Sequence, residues 1–536
     1  MRKHDSFQIS EKGFAMDIPH VLFLASALAP AVLMLAAALL SQLRRVCVTR
    51  LWLAFLALSG LALLGTVLAA LAGPGSLRLP VALQASPLGL CLALLVQLLG
   101  TVIAGFSARY LQGEAGQRRY VAALAGVLAA VHLLVLANHW VVLIMAWALV
   151  GMALQHLLCF YPDRVFARLA AHKKRLADRV ADALLIGAAA LAWVEVGSGS
   201  LSDLWTYLDR EGMSTPLQFS AVGLVLAVIL RTAILPVHGW LIQVMEAPTP
   251  VSALLHAGVV NLGGFVLIRF APLLEQAMPA RALLVALGLG TAVLAGMVML
   301  TRISIKVRLA WSTVAQMGFM LLECGLGLYT LAALHLIGHS LYKAHAFLSA
   351  STVVRQTRLQ AMHSPASPMA LSLVLAPAVA ISTVLLVQSV SGQMAWPWWW
   401  SAVLGLAWAP LLWLPAQRSG FWALGLQGVS GVLMMAGLTG AALLAHALPL
   451  GIQDVPHDAL GLVALLGMVG LYACLVVLQL RPQTLRTWRR WSYAGFYVDE
   501  AYTRLALQLW PARWTPEASR SSGSRTPESR MADAPR

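Results

Sequence analysis

The sequence predicts an all-α, polytopic membrane protein with about fifteen transmembrane helices. Of the 536 residues, 60% are hydrophobic and only 11% are charged. Apolar windows of about 20 residues, the length that crosses the hydrocarbon core of a bilayer, recur along the chain. Only short polar loops separate these windows, so no stretch has the composition of a soluble domain. The windows are centred near residues 30, 60, 95, 128, 150, 188, 227, 261, 291, 318, 343, 380, 407, 434 and 469.

The two ends of the chain differ from its interior. The first apolar run, at about residues 21–40, is too long for the core of a signal peptide, so we expect the first transmembrane helix there. The window near residue 188 is the least clear of the series. After Trp514 the sequence is rich in Ser, Pro and Arg, which predicts a disordered tail at residues 515–536.

Basic and acidic residues alternate between the loops, within a net charge of +16. By the positive-inside rule this alternation predicts the N-terminus outside and the C-terminus in the cytoplasm. Because the cations lie in short loops, no basic domain is left to bind nucleic acid. The basic loops lie at 44–50, 109–119, 164–179, 302–308 and 355–358, and the acidic ones at 203–211 and 454–458.

The first candidate functional stretch runs from residue 231 to 269. Arg231, His238, Glu246 and His256 lie there inside an otherwise apolar sequence. Ionisable groups at membrane depth are costly and therefore indicate a functional site, although Arg231 and Glu246 could also simply extend to an interface. Pro236 deprives its helix of regular hydrogen bonds, and such breaks build ion sites in many transporters.

The second stretch runs from residue 305 to 351. His335, His339 and Lys343 are each four residues apart, so on a helix they form one stripe about 12 Å long. Histidine titrates near neutrality and a desolvated lysine can approach it, so the stripe could pass protons. Each histidine could also be a buried structural residue. Lys306 lies close to Arg302 and Arg308 and could be a plain cytoplasmic anchor.

We expect no metal or cofactor in this chain. The five cysteines are scattered through apolar windows without a CxxC pair, which argues against iron–sulfur ligation and against a disulfide framework. A zinc site at His335 and His339 would need further ligands, and no such set is apparent.

Both stretches resemble the antiporter-like membrane subunits of respiratory complex I and of Mrp-type antiporters. The matching segments include LPVHGWL (235–241), PTPVSALLHA (248–257) and HLIGHSLYK (335–343), together with Lys306, Ser312, Thr313, Gln316 and Gly318. The resemblance implies broken helices, inverted five-helix repeats and a central proton path that uses the lysine matching Lys306. We therefore expect helices one to three in 1–119, repeats in 120–271 and 272–416, the last two helices with the segment GFYVDEAY in 417–514, and the tail in 515–536.

The chain differs from the complex I subunits at two positions where those subunits have a glutamate and a lysine. Ala148 follows Trp147 where the complex I subunits have a buried glutamate, and Arg231 stands at the position of their lysine. Arginine keeps its proton in proteins, so Arg231 could hold an anion or gate a path but could not relay a proton. The relay would then fall to His238, His256, Lys306 and the stripe from His335. A buried arginine needs a counter-charge, for which Asp182 and Glu246 are the candidates.

The C-terminal segment GFYVDEAY (495–502) resembles the L-type subunit of complex I, but no later apolar helix follows it. In complex I this segment is followed by a further transmembrane helix and a long lateral helix. An L-like core without these helices, and without the paired glutamate and lysine, is most similar to the DabB-type membrane subunits of the DAB inorganic carbon system. This resemblance implies a transporter subunit of the bacterial inner membrane rather than an enzyme. Its partner would be a large cytoplasmic DabA-type subunit, which would contain zinc and resemble a carbonic anhydrase.

Two alternatives stay open at this point. The chain could be a proton-pumping L-type subunit of an NADH–quinone or hydrogenase-like oxidoreductase, which neighbouring genes for other such subunits would favour. It could also be a stand-alone cation/proton antiporter, which rescue of salt-sensitive growth in an antiporter-deficient strain would favour.

Overall fold

The computed structural model describes residues 18–72, 82–350, 368–392, 395–416, 420–481 and 483–512. The predicted tail at 515–536 and the predicted basic loop at 355–358 lie outside these residues. Within the described ranges the regular structure is entirely helical, which confirms the all-α class. Each of the fifteen predicted windows falls on a helix.

The helices are numbered here in chain order. The N-terminal ones are α1 (Ile18–Gln42), α2 (Val48–Ala72), α3 (Pro87–Tyr110), α4 (Gln117–Leu136), α5 (Trp140–Leu158), α6 (Val165–Val196) and α7 (Leu201–Glu211). The central ones are α8 (Thr215–Thr232), α9 (Gly239–Gln243), α10 (Thr249–Ala257), α11 (Leu262–Arg269), α12 (Ala271–Gln276), α13 (Met278–Leu300), α14 (Ile305–Leu326) and α15 (Tyr329–Leu348). The C-terminal ones are α16 (Ala370–Ser391), α17 (Trp398–Trp408), α18 (Phe421–His446), α19 (Asp458–Leu480), α20 (Arg486–Tyr493) and α21 (Val498–Leu509).

Eleven spans of the described chain are long and apolar enough to cross a membrane, counting Thr249–Arg269 as one span. The other four predicted windows fall on α1, α6, α15 and α17. In α1 the apolar stretch Ala27–Gln42 lies within a longer helix, and in α17 the apolar helix, with its continuation to Leu412, is short. In α6 and α15 buried charged or titratable side chains lower the hydropathy, because these helices carry the candidate site.

Two of the spans are interrupted. Helix α8 ends at Thr232, Ala233 adopts a left-handed conformation with φ of 56°, and the chain resumes a helix only at Gly239. Pro236 lies inside this gap, where it cannot donate a backbone hydrogen bond. The next span breaks at Gly258, between α10 and α11. Helix α16, in contrast, is continuous although Pro377 lies within it.

The buried side chains form two main cores. The larger joins α1 to α15 and includes Trp140 and Trp240, and the smaller includes Trp399 and Trp400 on α17. Helices α13 and α14 approach closely because both have glycine at the contact: a Cβ on Gly318 would lie 2.7 Å from the carbonyl oxygen of Gly288. Small residues allow such backbone approach in membranes. The boundaries of the repeats, 120–271 and 272–416, stay predictions.

Candidate functional site: two clusters of buried polar side chains

Arg231 lies at the end of α8, immediately before the first break, and is 5% exposed. Its guanidinium donates a hydrogen bond to Asp182 of α6 and lies 4.7 Å from the ring centroid of Trp147 on α5. A desolvated cation gains from both an anion and an aromatic face. The structure therefore pairs Arg231 with Asp182, one of its two candidate counter-charges.

Glu246, the second candidate, lies elsewhere. Its carboxylate is 3.5 Å from Arg164, and both side chains are substantially exposed. Arg164 also donates to the backbone carbonyl of Glu246 at 2.8 Å. The arrangement matches the interfacial alternative for Glu246, which forms a surface ion pair.

Helix α6 supplies more charges than the sequence analysis identified. Lys174, Asp178 and Asp182 are four residues apart and so lie on one face. The Lys174 ammonium donates to both carboxylate oxygens of Asp178, at 2.8 and 2.6 Å, and lies 5.0 Å from the ring of Trp240. Asp178 also interacts electrostatically with Arg231. Two cations and two anions thus neutralise one another in what we call the Arg231 cluster: Lys174, Asp178, Asp182 and Arg231.

The Arg231 cluster explains the departure at Ala148. Helix α5 contains no acidic residue, so it cannot provide the carboxylate. The carboxylates come instead from the neighbouring helix α6, while α5 contributes the Trp147 ring. The spacing of lysine and aspartate at positions i and i+4 was a usable signal for the pair on α6.

His238 lies in the first break and is fully buried, with its ring 4.9 Å from that of Trp311. Asp499, from the segment GFYVDEAY, is close enough to His238 to interact electrostatically. Asp499 also accepts a hydrogen bond of 3.3 Å from Gln243 of α9. The C-terminal segment therefore reaches the broken helix.

The anchor of this segment is Lys173, which is 0% exposed. Its ammonium donates to Asp499 at 2.6 Å and to Thr503 at 2.9 Å, and the Tyr502 hydroxyl donates to its backbone carbonyl at 3.0 Å. Tyr502 lies outside the membrane-spanning helices, and burial raises the pKa of its phenol. We call the contact of Asp499, Tyr502 and Thr503 with Lys173 the C-terminal clasp.

The predicted stripe on α15 lies inside the bundle. His256 of α10 is fully buried, stacks on Phe347 with ring centroids 4.6 Å apart, and is within electrostatic range of Lys343. The Lys343 ammonium donates to the hydroxyl of Ser312 and, at 3.0 Å, to the carbonyl of Leu309. These groups begin what we call the histidine row: His256, Lys343, His339, His335 and Glu323.

The other end of the histidine row contains a carboxylate that the sequence analysis missed. The rings of His339 and His335 are 6.1 Å apart, and Nδ1 of His335 is 2.8 Å from a carboxylate oxygen of Glu323. Glu323 is 4% exposed and lies near the end of α14. A lone glutamate in an apolar span was the available signal.

An acidic loop covers this end of the row. Asp454 accepts a hydrogen bond of 2.7 Å from the backbone of Thr330, and burial raises the pKa of its carboxyl. Gly327, with φ of 79°, allows the loop to approach, because a side chain there would collide with the carbonyl of Val455. Glu323 and Asp454 thus place two acidic residues near the same end of α14.

A cavity of about 550 Å³ reaches the row from the side. Ser312, Gln316 and His335 lie in its wall, along with residues of α13, α17 and α19. That volume holds on the order of ten water molecules, and its polar groups can bind them. Water there could connect Ser312, the partner of Lys343, with His335.

Lys306 lies at the start of α14, one turn before Leu309. It is half-buried and donates at 2.9 Å to the Thr249 hydroxyl, which donates at 3.3 Å to Tyr110. Because Leu309 accepts from Lys343, Lys306 stands at the loop-facing end of the histidine row. This position is compatible with a path residue and with an anchor.

A polar contact occupies the region between the two clusters. Asn261, in the second break, donates to Ser340 at 2.7 Å and to the Ala257 carbonyl at 3.0 Å. Ser340 lies on α15 between His339 and Lys343. On the other side, Gly263 packs against Thr232, the residue after Arg231. The second break therefore brings a side-chain amide to the junction of the clusters.

Interrupted helices around a buried series of imidazole, ammonium and carboxylate groups define a class of protein, the ion-translocating membrane proteins. Among the described residues, no group of three or more His, Cys, Asp or Glu side chains is placed to hold a metal ion. The imidazole, ammonium and carboxylate groups of the site can exchange protons and pair charges.

Comparison with known proteins identifies a family within the ion-translocating membrane proteins. The family described as NADH:quinone oxidoreductase/Mrp antiporter, transmembrane region, matches residues 137–399. The probable inorganic carbon transporter subunit DabB of Hydrogenovibrio crunogenus is 38% identical over 445 residues, which cover 80% of this chain and 83% of that protein. The chain belongs to the DabB family of inorganic carbon transporter subunits.

Two further comparisons agree with this assignment. The probable DabB2 subunit of Halothiobacillus neapolitanus is 45% identical over 320 residues, which cover 57% of this chain and 58% of that one. The solved Mrp complex from Dietzia sp. aligns with a TM-score of 0.58 and 24% identity, over 90% of this chain and 60% of that chain. At that identity the likeness shows the antiporter-like fold alone.

Proposed function

We propose that this chain is the ion-conducting membrane subunit of an energy-coupled inorganic carbon uptake complex. The observation that supports the proposal is the histidine row, a series of neighbouring titratable groups, most of them buried, in a chain of the DabB family. Protons or another cation would enter down their gradient along His335, His339, Lys343 and Lys306, with His256 beside them. Glu323 would receive the ion at the end where it enters.

In this proposal the Arg231 cluster has a different role from the row. Arg231 keeps its proton at any physiological pH, so this residue can respond only by opening its ion pair. His238 and the Asn261–Ser340 contact would respond to that opening. The cluster would act as a gate, whereas the row would conduct.

The proposed partner is a large cytoplasmic subunit of the DabA type. That subunit would contain the zinc and convert CO2 to bicarbonate, and this chain would contribute no cofactor. Charge movement through the membrane subunit would shift the partner between two states. The relatives in the DabB family are named as subunits, which supports a complex rather than a chain that works alone.

We further propose that the chain lies in the bacterial inner membrane, with its N-terminus outside and its C-terminus in the cytoplasm. The alternation of basic and acidic loops supports this orientation. Lys306 would then face the cytoplasm, and Glu323 with Asp454 would face the opposite side.

The test is to purify the chain in detergent from its own host and identify what accompanies it, by mass spectrometry and metal analysis. One large zinc-containing soluble protein is the expected result. Complex I-like subunits with flavin or iron–sulfur clusters would instead identify an oxidoreductase subunit. Isolation of the chain alone, with salt-dependent growth rescue, would identify an antiporter.

A further inference from the structure

A groove of about 1050 Å³ lies between the ends of α13 and α19 and the short helix α20. It is separate from both clusters, and the proposed function gives it no role. We call it the arginine groove, and its wall includes Leu300, Leu478, Arg486, Arg489, Arg490 and Tyr493.

The groove is positively charged. Arg486, Arg489 and Arg490 are all exposed. Arg486 donates to the side chain of Gln483, but no carboxylate of the described chain forms an ion pair with any of the three. Three unpaired guanidinium groups on one short helix favour an anion, and arginine binds phosphate in a bidentate manner.

A second feature of the groove is a polar group buried without a partner. Ser492 is 1% exposed, lines the groove, and its hydroxyl forms no hydrogen bond within the described residues. A buried hydroxyl without a partner costs free energy, and an oxygen-rich ligand would satisfy it.

The opposite wall of the groove is apolar. Leu300 and Leu478 end two helices that are apolar enough to cross a membrane, and Leu300 is 57% exposed. On α20, the aromatic side chains of Trp491 and Tyr493 are 53% and 64% exposed, and Tyr493 lines the groove. Arginine and aromatic residues on a short amphipathic helix are typical of the membrane–water interface.

We propose that the arginine groove binds an anionic phospholipid. The phosphate would contact Arg486, Arg489 and Arg490, and an acyl chain would lie along Leu300 and Leu478. A free phosphate ion would use the guanidinium groups but not the apolar wall. An acidic segment of a partner protein would also bind the guanidinium groups. It would not need the apolar wall, which continues the lipid-facing surface of α13 and α19.

The experiment is native mass spectrometry of the full chain, purified with its accompanying subunits, after addition of phosphatidylglycerol or phosphatidylcholine. We expect phosphatidylglycerol to be retained about tenfold more than phosphatidylcholine, and its retention to fall as salt rises. This comparison needs no variant. Equal retention of the two lipids would overturn the proposal.

Variants locate the site. The triple change Arg486→Gln/Arg489→Gln/Arg490→Gln should lower phosphatidylglycerol retention at least tenfold, since it removes all three guanidinium groups that would contact the phosphate. The matched control Arg44→Gln/Arg45→Gln/Arg50→Gln removes the same charge from another basic loop and should retain the lipid. Similar loss in both variants would show a net-charge effect only.

Two further outcomes identify other occupants. If inorganic phosphate stabilises the purified protein against heat as strongly as phosphatidylglycerol does, the groove binds a free anion and the lipid proposal is wrong. If the triple variant keeps its lipid but loses an accompanying subunit, the groove is a protein contact.

Discussion

Arg231 and Asp182 form an ion pair in which the arginine is buried and the carboxylate is 28% exposed. Removing one partner of such a pair leaves the other without compensation. We expect Arg231→Met to destabilise the protein by about 2 kcal/mol, less than for a fully buried pair because Asp182 is partly hydrated. The double variant Arg231→Met/Asp182→Asn should recover part of this loss. Thermal unfolding in detergent measures both, and strictly additive effects would contradict the pairing.

The same residue allows a test of the gate. Arg231→Lys keeps the charge but introduces a group that can lose its proton. If the permanent charge matters, this variant should transport less although it folds and inserts normally. Full carbon-dependent growth with Arg231→Lys would remove the argument for a permanently charged gate.

The histidine row predicts a sharp functional effect at His256 and His339. Replacing either with alanine removes a group that can accept a proton, so coupled uptake should fall by about tenfold or more. Uptake of labelled inorganic carbon in cells measures this, with membrane abundance as a check. The matched control is His132→Ala, a buried histidine bonded to the carbonyl of Ala27 outside the row. Normal uptake in both row variants would refute the relay.

Glu323 lies at the end of the histidine row, and only the structure places it there. Its substitution tests whether this end of the row is part of the path. Glu323→Gln keeps the size and can still bond His335, but it cannot hold a negative charge. We expect coupled uptake to fall about tenfold while the protein stays folded. Glu195→Gln, at the end of α6 and bonded to Tyr207, is the control and should be neutral. Equal behaviour of the two variants would exclude Glu323 from the path.

These residues show how far the sequence predicts the site. The stripe of His335, His339 and Lys343 follows from helical spacing alone. The contact between Glu323 and His335 depends on how α14 packs against α15. The spacing of residues along one helix does not predict that packing. Lys173 and Asp499 are separated by 326 positions, so their contact follows only from the fold.

Among the helices, the C-terminal clasp connects the end of the described chain to the first break. Asp499→Asn would leave the buried ammonium of Lys173 without its anion, at a cost of about 2 kcal/mol. Residues 233–243 should then exchange backbone hydrogen for deuterium faster, because α9 loses the contact between Gln243 and Asp499. Asp209→Asn, which removes an exposed carboxylate on α7, is the control. Unchanged exchange in Asp499→Asn would show that the clasp does not hold the break.

Hydropathy predicts these helices well except where the site lies. Helix α6 runs for 32 residues from Val165 to Val196, yet its predicted window was the least clear. The reason is that Asp178 and Asp182, at the start of that window, pair with Lys174 and Arg231 inside the bundle. A hydropathy average treats each of them as exposed to hydrocarbon, so it fails where charges are matched.

For the whole molecule, the orientation proposal can be tested with a native cysteine. Cys47 is free and exposed in the loop between α1 and α2, which we predict to be cytoplasmic. A membrane-impermeant maleimide should therefore label inside-out vesicles and not intact cells. Cys47→Ser should abolish that signal and identifies its source. Labelling of intact cells at Cys47 would invert the orientation.

The Arg231–Asp182 pair also determines how the bundle would respond to a membrane voltage. A proton relayed between imidazoles moves alone, whereas a guanidinium that turns away from its carboxylate moves its whole charge with the side chain. One elementary charge that crosses the full potential changes energy by about 2.3 kcal/mol per 100 mV. A charge that moves through part of the membrane changes energy by a fraction of that amount. This fraction is enough to change the population ratio of two conformations several-fold. A gate that works by turning Arg231 would therefore respond to voltage at any physiological pH, because the guanidinium keeps its charge.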